Sequence, residues 1–285
     1  MPLRSLLCST ALQNQPWELD MSLEQQIAEL VSASRGLIAT FEQKKSGIDA
    51  AVLGALQALP ANTRTFYVSA LTGNDAAAGT LQAPLKTLKQ AIDRVPVGGF
   101  ADIYLAEGEE HLIDSQITVA NKVLILGKYG QGGRPVLKSM PYVEAGMNLC
   151  YGISPYGGTT ITFTGLRVKT AVLADPAKPS GDYGFISRSD CTAATVFMNG
   201  TDIELNGQSF MSGSGAGSVM TLFLYNHQVT RTAAGSYIAS IGSNNLRLAV
   251  AGVTLPAATQ LADLLSGITR DANNVPRNLL CNIAI

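Results

Sequence analysis

The chain has 285 residues, a formal net charge of −1 and 14% charged residues, against about 25% in an average soluble domain. A balance this close to neutral gives no electrostatic basis for binding nucleic acid or a membrane surface. With 28 glycines and only 6% aromatic residues, the predicted surface consists mainly of Ser, Thr, Asn, Gln and Gly.

The first segment, residues 1–21, is a leader whose translation the sequence leaves open. The apolar patch within Met1–Leu12 is too short and too interrupted for a convincing signal peptide. The codons for Trp17 and Glu18 must contain GGGA, a purine-rich ribosome-binding sequence that falls shortly before the Met21 codon. We therefore expect translation to begin at Met21.

The second segment, residues 22–60, follows the step pattern of a coiled coil. Apolar or small residues recur in alternating steps of four and three, which places them along one seam of a helix. Ser22 and Gln25 form a predicted capping box at its start, and Pro60 is expected to end it. Six large apolar residues form the predicted core of the seam: Leu23, Ile27, Leu30, Leu37, Phe41 and Ile48.

Two arrangements could bury this seam. A helical hairpin, broken near Gly47, would pack against its own domain. A parallel self-associating stalk would bury the seam between copies of the chain. Because a long helix with a narrow apolar seam is poorly buried alone, we favour the stalk and predict a homotrimer for trimerisation and attachment.

The third segment begins with a strand, a polar turn and one short amphipathic helix. The strand covers Thr65–Val68, and the turn covers Gly73–Asp75. Thr87 and Gln90 form a second capping-box pair, after which apolar residues recur at helical spacing. We predict a capping helix over residues 87–95 that covers one end of a β structure.

From Ala101 onward, short strands alternate with turns at Gly and Asn, as in the stacked rungs of a solenoid. Residues 174–195 contain a loop or insertion, so the predicted solenoid domain covers residues 61–195. Residues 196–285 form a β-rich C-terminal region. This region could continue the solenoid or form a separate β-sandwich.

The opening segment resembles a known motif. Tyr67-Val68, Gly73-Asn74-Asp75, Gly79-Thr80, Pro84–Leu88 and Ala91-Ile92 look like the start of right-handed parallel β-helix proteins. These include bacteriophage tailspikes and tail fibres, some secreted polysaccharide lyases and surface proteins. The resemblance implies a mainly β fold, with an N-terminal coiled-coil stalk followed by a right-handed parallel β-helix. It implies no reaction, because the fold occurs in both enzymes and inert shafts.

Glycan cleavage would require two suitably spaced carboxylates. The densest acidic cluster supplies Glu107 and Glu109, with His111 two residues beyond, on the predicted face of Glu109. Asp202 and Glu204 also lie two residues apart on one predicted strand, so they would face the same way. A solvated turn would explain the first group without catalysis, and an ordinary exposed strand would explain the second. The sequence therefore favours a protein that is not an enzyme.

Tyrosines are the predicted binding residues, because aromatic rings can stack on sugars. Tyr151 and Tyr156, in a segment rich in Gly and Pro, are the leading candidates, and Tyr142, Tyr183 and Tyr225 are others. Four widely spaced cysteines and two histidines make a zinc site improbable. No cofactor or metal is predicted, and the cysteines (Cys8, Cys150, Cys191 and Cys281) are expected to be free thiols.

The predicted function is that of a virion tail fibre or tailspike-like protein, homotrimeric and located in the phage tail after assembly in the host cytoplasm. Its N-terminal region would attach to a tail or baseplate protein, and its β region would bind a host-surface glycan. The alternatives are a polysaccharide depolymerase or lyase and a bacterial surface adhesin. The roughly 220 residues beyond the stalk favour a shaft or binding tip, since the enzymatic tailspikes that the chain resembles are usually longer.

Overall fold

A computed structural model describes residues 22–181, 183–188, 193–213 and 217–283. The predictions about residues 1–21, Cys8 and Cys191 lie outside these ranges. The chain divides into two units after Gln57. It is mainly β, with parallel sheets that follow one long N-terminal helix.

The long helix, α1 (Leu23–Asn62), is continuous over 40 residues, or about 60 Å. It passes through Gly36 and Gly47 without a break, which excludes the hairpin. The prediction that Pro60 ends the helix is wrong, because α1 continues two residues further, to Asn62. Of the helices in the described ranges, none is long and apolar enough to cross a bilayer.

The capping box predicted at the start of α1 is confirmed. The Ser22 amide donates to the Gln25 side chain at 3.0 Å, and the Gln25 amide donates to the Ser22 hydroxyl at 3.3 Å. Every described side chain of α1 up to Ala55 is exposed. The six predicted core residues are therefore unburied in a single chain, at 53% to 73% exposure.

Short strands make up most of the second unit. The first half of the chain contains β1 (Thr63–Val68), α2 (Leu88–Asp93), β2 (Phe100–Ala106), β3 (Glu110–Ile113), β4 (Ile117–Ala120), β5 (Val123–Tyr129), β6 (Val136–Ser139), β7 (Pro141–Glu144), β8 (Met147–Cys150), β9 (Ile153–Tyr156) and β10 (Thr159–Thr164). The second half contains β11 (Arg167–Lys169), β12 (Ile186–Arg188), β13 (Ala193–Asn199), β14 (Asp202–Leu205), β15 (Met211–Gly213), β16 (Val219–Tyr225), β17 (Val229–Arg231), β18 (Ala239–Ser240), β19 (Asn245–Ala251), a 3-10 helix (Leu261–Leu264), β20 (Leu265–Ser266) and β21 (Leu279–Cys281).

Strands β7 and β8 form an antiparallel hairpin, and the other strands form three parallel sheets. Sheet I has the order β1-β2-β5-β10-β13-β16-β19-β21, sheet II has β3-β6-β11-β14-β17, and sheet III has β4-β9-β12-β15-β18-β20. The chain visits sheets I, II and III in turn and then returns to sheet I, and each such passage is called a rung below. In strands such as β10, β13 and β16, alternate residues point into one shared apolar core. Phe163, Phe185 and Phe210 are fully buried there.

The predicted boundary between residues 195 and 196 falls inside β13. Strands on both sides of it pair in the same three sheets: β10 pairs with β13, and β13 with β16. The C-terminal region therefore continues the sheets that begin at β1. Its β-rich character agrees with the prediction, while the separate sandwich that the sequence left open is not observed.

The predicted capping helix is α2, shorter than residues 87–95 but on the same site. The Thr87 hydroxyl accepts from the Gln90 amide at 3.2 Å, and Leu88, Ala91 and Ile92 are buried. Helix α2 contacts β1, β3 and β4, so it covers the end of the core at the first rungs.

Candidate functional site

Two long excursions leave successive rungs at the same place, the junction between sheets II and III. On one rung the hairpin β7–β8 separates β6 from β9, and on the next rung residues 170–185 separate β11 from β12. The connections from sheet I to sheet II are much shorter, such as the two residues between β10 and β11. Repeat proteins commonly carry their binding residues on insertions that cluster on one face, which makes this junction the candidate site.

Asn148, fully buried in β8, holds the excursions together. Its side-chain amide donates to the carbonyls of Asp175 and Lys178 at 2.7 and 2.8 Å, and its side-chain oxygen accepts from the Asp175 amide at 2.8 Å. Its backbone carbonyl accepts from Gly181 and from the Gln208 side chain, which belongs to the following rung. One residue therefore ties together excursions from three successive rungs.

Two tyrosines stack on this scaffold and a third lies near them, and the three are called here the tyrosine cluster: Tyr142, Tyr151 and Tyr183. The rings of Tyr142 and Tyr151 stack with centroids 4.5 Å apart and an interplanar angle of 20°. Tyr183, which is 39% exposed, lies near enough to Tyr142 to raise its pKa, although burial is the larger cause of the increase. Val143 and Met147 add exposed apolar surface on the same hairpin.

The cluster includes a thiol, but not a reactive one. Cys150 is fully buried, and its Sγ lies 3.4 Å from the Tyr183 carbonyl oxygen. Burial raises the pKa of Cys150 to about 11, so the thiol is protonated at neutral pH and is a poor nucleophile. Cys150 and Cys281 are both free thiols among the described residues, as expected from the sequence.

The two tyrosines predicted from the sequence do not share one surface. Tyr151 belongs to the cluster, whereas Tyr156 stands at the far end of β9, five residues of extended chain away or roughly 16 Å. The Tyr156 carbonyl accepts from the Thr159 hydroxyl at 2.6 Å in the turn to β10. The β7–β8 hairpin brings Tyr142 to Tyr151, and Tyr183 approaches Tyr142 from the next excursion; the spacing within a single strand contains no signal for either.

The first acidic candidates all have structural partners. The Glu109 carboxylate accepts from the Ala70 amide at 2.6 Å and from the Ser69 hydroxyl at 2.9 Å, which fixes the turn after β1. Glu107 forms an ion pair with Lys128. His111 is buried, with its Nε2 atom 3.3 Å from the Ala106 carbonyl oxygen, and burial lowers its pKa.

The second acidic pair lines a groove of about 240 Å³ on the outer side of sheet II, with Arg167, Gln228 and Thr230. Asp202 and Glu204 lie two residues apart on the same face of β14, so their Cα atoms stand roughly 6.6 Å apart. Asp202 is held by Arg134 at 2.8 Å and Glu204 by Lys169 at 3.5 Å. Each carboxylate is already paired with a cation, whereas cleavage needs one protonated acid.

Comparison with known proteins gives little that is specific. No family model matches the chain, and no curated protein matches it. Two solved structures of the GH136 lacto-N-biosidase from Eubacterium ramulus are similar to it. The native form has 12% identity and a TM-score of 0.42, and the match covers 66% of this chain and 40% of that chain. The selenomethionine form has 14% identity and a TM-score of 0.35, over 79% and 48%. This chain therefore spans less than half of either one.

Proposed function

We propose that the chain is the subunit of a homotrimeric tail fibre or tailspike-like protein that binds a host-surface glycan without cleaving it. In this proposal the N-terminal region attaches the trimer to a phage tail or baseplate protein. The protein is assembled in the host cytoplasm and ends up in the virion. The tyrosine cluster is the glycan site.

The second unit is, in this proposal, a right-handed parallel β-helix. Support comes from the cyclic order of the three parallel sheets, because a chain that visits them in turn winds around a single core. Crossover connections between parallel strands are almost always right-handed, since a right-twisted strand returns to its sheet most easily that way. The hydrogen bonds of the Gly73–Asp75 turn and of α2 fit the opening motif that the sequence resembles.

The stalk is, in this proposal, a trimeric coiled coil formed by α1. Ten large apolar side chains of this helix are 42% to 73% exposed in a single chain, and leaving them in water forgoes their hydrophobic free energy. Val31 and Ile38 stand one residue beyond the predicted seam positions Leu30 and Leu37. They widen the apolar stripe, which suits three helices better than two.

The tyrosine cluster carries the proposal of glycan binding. It combines stacked and partly exposed rings with apolar neighbours, on a scaffold whose buried hydrogen bonds fix the geometry in advance. Aromatic side chains add contact area with little loss of conformational entropy, and pre-organisation lowers the free-energy cost of binding. Weak binding at each site would be multiplied in a trimer.

An array of capsular and lipopolysaccharide glycans tests the proposal. We expect the wild-type protein to bind, and Tyr151→Ala to reduce the affinity about tenfold, equivalent to about 1.4 kcal/mol. Tyr156→Ala is the matched control, because this tyrosine lies outside the cluster, and its affinity should be unchanged. Equal loss in both variants, or no binding by the wild type, would refute the glycan site.

The same incubation discriminates the alternatives. Release of new reducing ends from a bound glycan would favour a depolymerase, and Asp202→Asn and Glu204→Gln would then be the variants to examine. If no reducing ends are released while binding persists, the non-catalytic function stands. Binding to intact cells that is independent of any phage particle would favour the adhesin.

A further inference from the structure

The outer side of sheet I, called the sheet I face below, is broad and has few charges. In register order its central positions are Thr65, Asp102, Ile125, Thr162, Phe197, Phe223 and Ala249, and the flanking positions include Tyr67, Tyr104, Asn199, Tyr225, Phe100, Val123, Thr160, Thr195, Thr221, Arg247 and Leu280. Asp102 and Arg247 are the only charged residues in this set. Its members are half-buried or exposed in a single chain.

The outer side of sheet II has the opposite character. Glu110, Lys138, Arg167, Asp202 and Glu204 all point outward there, and several are joined in ion pairs. Such a surface suits water. Protein interfaces are depleted of charges at their centre and enriched in Tyr and Phe. The sheet I face shows this pattern and the sheet II face does not.

The aromatic rings at the centre of the sheet I face pack against one another along the sheet. Phe197 and Phe223 stack on neighbouring rungs with centroids 4.4 Å apart and an interplanar angle of 5°. The Arg247 guanidinium lies over Phe223, 6.0 Å from the ring centroid. Because these contacts occupy the flat sides of Phe223, a sugar has no free ring face there. What remains is an apolar ridge of ring edges.

The size of the face matches what association requires. Eight strands spaced about 4.8 Å apart, each contributing roughly 20 Å of length, give the sheet I face an area of about 700 Å². A standard stable interface buries about 800 Å² on each partner. A face with almost no charge needs no partner of opposite charge, so a second copy of the same chain is the simplest partner for it.

Chain connectivity favours the same partner. Helix α1 ends at Asn62 and β1, the first strand of sheet I, begins at Thr63 with no linker between them. If α1 assembles in parallel, the start of sheet I in each copy is held close to the others, at a high effective concentration.

We infer that the sheet I face is a second interface between copies, so that the β regions of the trimer pack against one another through it. The inference rests on the proposed trimer for the arrangement of the copies. It adds a contact between copies within the second unit, with the Phe197–Phe223 ridge at its centre.

Hydroxyl-radical footprinting of the full-length protein tests the inference. Oxidation of Phe197, Phe223 and Tyr225 should be several-fold lower in the wild-type trimer than in a Leu30→Asp/Leu37→Asp variant that has been dissociated to monomers. Tyr183, which lies outside the sheet I face, is the internal control and should be oxidised equally in both. Equal oxidation of the ridge in trimer and monomer would overturn the inference while the trimer stands.

A charge substitution provides a second, independent measurement. Thr195→Lys/Thr221→Lys places two outward cations on the face, and we expect the trimer to dissociate at a concentration at least tenfold higher in sedimentation equilibrium. Thr118→Lys, an outward threonine on sheet III, is the matched control and should sediment as the wild type. An unchanged trimer in the double variant contradicts the second interface, and a wild-type monomer contradicts both it and the proposed trimer.

Discussion

At the scale of single residues, Asp75 explains why the opening turn has its sequence. Its carboxylate accepts from the amides of Lys86 and Thr87, both at 2.9 Å, and from the Thr87 hydroxyl at 2.9 Å. Gly73 is required in the same turn because a Cβ atom there would lie 2.1 Å from the Leu85 carbonyl oxygen. The turn and the cap of α2 are therefore one hydrogen-bonded unit.

Replacing Asp75 with alanine leaves three donors without this acceptor. Hydrogen bonds to a charged group contribute more than neutral ones, so Asp75→Ala should reduce the free energy of unfolding by about 2–3 kcal/mol. Urea unfolding followed by circular dichroism measures the change. The control is Asp114→Ala at an exposed position, expected within about 0.5 kcal/mol of the wild type; equal losses would show that the network is not stabilising.

The two buried histidines, His111 and His227, should make the free energy of unfolding depend on pH. Burial lowers the pKa of both His111 and His227. The Ala106 carbonyl and then Glu109 oppose this at His111, and the Tyr225 carbonyl and Asp202 oppose it at His227. Neither ring nitrogen of His227 has a hydrogen-bond partner among the described residues. The Tyr225 carbonyl therefore affects the pKa of His227 without forming a hydrogen bond to it. Both side chains are therefore neutral in the folded protein at neutral pH.

Because these pKa values are lowered on folding, the unfolded chain binds more protons once the pH falls below about 6.5. Stability is thus complete above that pH and declines as the pH falls toward the folded pKa. The urea midpoint should be lower at pH 5.5 than at pH 7.5, a window above the usual carboxylate range near 4. A His111→Gln/His227→Gln variant should lose most of this dependence, and a wild-type midpoint that is constant over the window would contradict the prediction.

At the scale of structural elements, buried hydrogen bonds join the excursions between sheets II and III to one another. Asn148, Ser180 and Gln208 join them across three rungs, with the Ser180 hydroxyl 2.8 Å from the Gln208 side chain. A site built in this way depends on a few buried polar contacts, each of which is costly to leave unpaired.

Asn148→Ala should loosen the excursion over residues 170–181 while the rungs persist. Removing one side-chain acceptor and two donor contacts should destabilise the excursion locally by about 2–4 kcal/mol. Hydrogen–deuterium exchange should show faster exchange of the Asp175 and Gly181 amides and unchanged exchange in β13 and β16. Asn245→Ala, at an exposed position of β19, is the control; unchanged exchange at Gly181 would contradict the role of Asn148.

The sequence predicts local elements well and long-range contacts poorly. The Ser22–Gln25 cap and the alternation in β13 and β16 are local patterns, and they are observed. Of the predicted Thr87–Gln90 capping box, the hydroxyl bond is observed, whereas the Thr87 amide donates to Asp75 and not to Gln90. The sequence does not reveal the rungs, because the connections between strands differ too much in length. They range from the two residues before β11 to the β7–β8 hairpin, and this variation hides the repeat. The sequence predicts all three tyrosines of the cluster as separate candidates, but not the stacking of Tyr142 on Tyr151, which depends on the pairing of β7 with β8.

At the scale of the whole molecule, the central prediction is that α1 assembles three copies of the chain into a trimer. Wild-type protein should sediment with three times the 29.9 kDa mass of one chain, because the exposed apolar stripe is buried only between helices. Leu30→Asp/Leu37→Asp would place charges in that interface and should shift the protein to monomers at micromolar concentration. Ser32→Asp/Ala39→Asp, on the opposite side of the helix, should remain trimeric; a wild-type monomer would refute the stalk.

The constant register of sheet I has a consequence for how such a chain can change length. Ala194, Met220 and Leu246 pair directly across β13, β16 and β19, at intervals of 26 residues. Deleting residues 220–245 would join Val219 to Leu246, and β19 would meet β13 in the register that β16 now has. Length can therefore be lost or gained in whole rungs by simple deletion or duplication, with neither the α2 cap nor the tyrosine cluster disturbed.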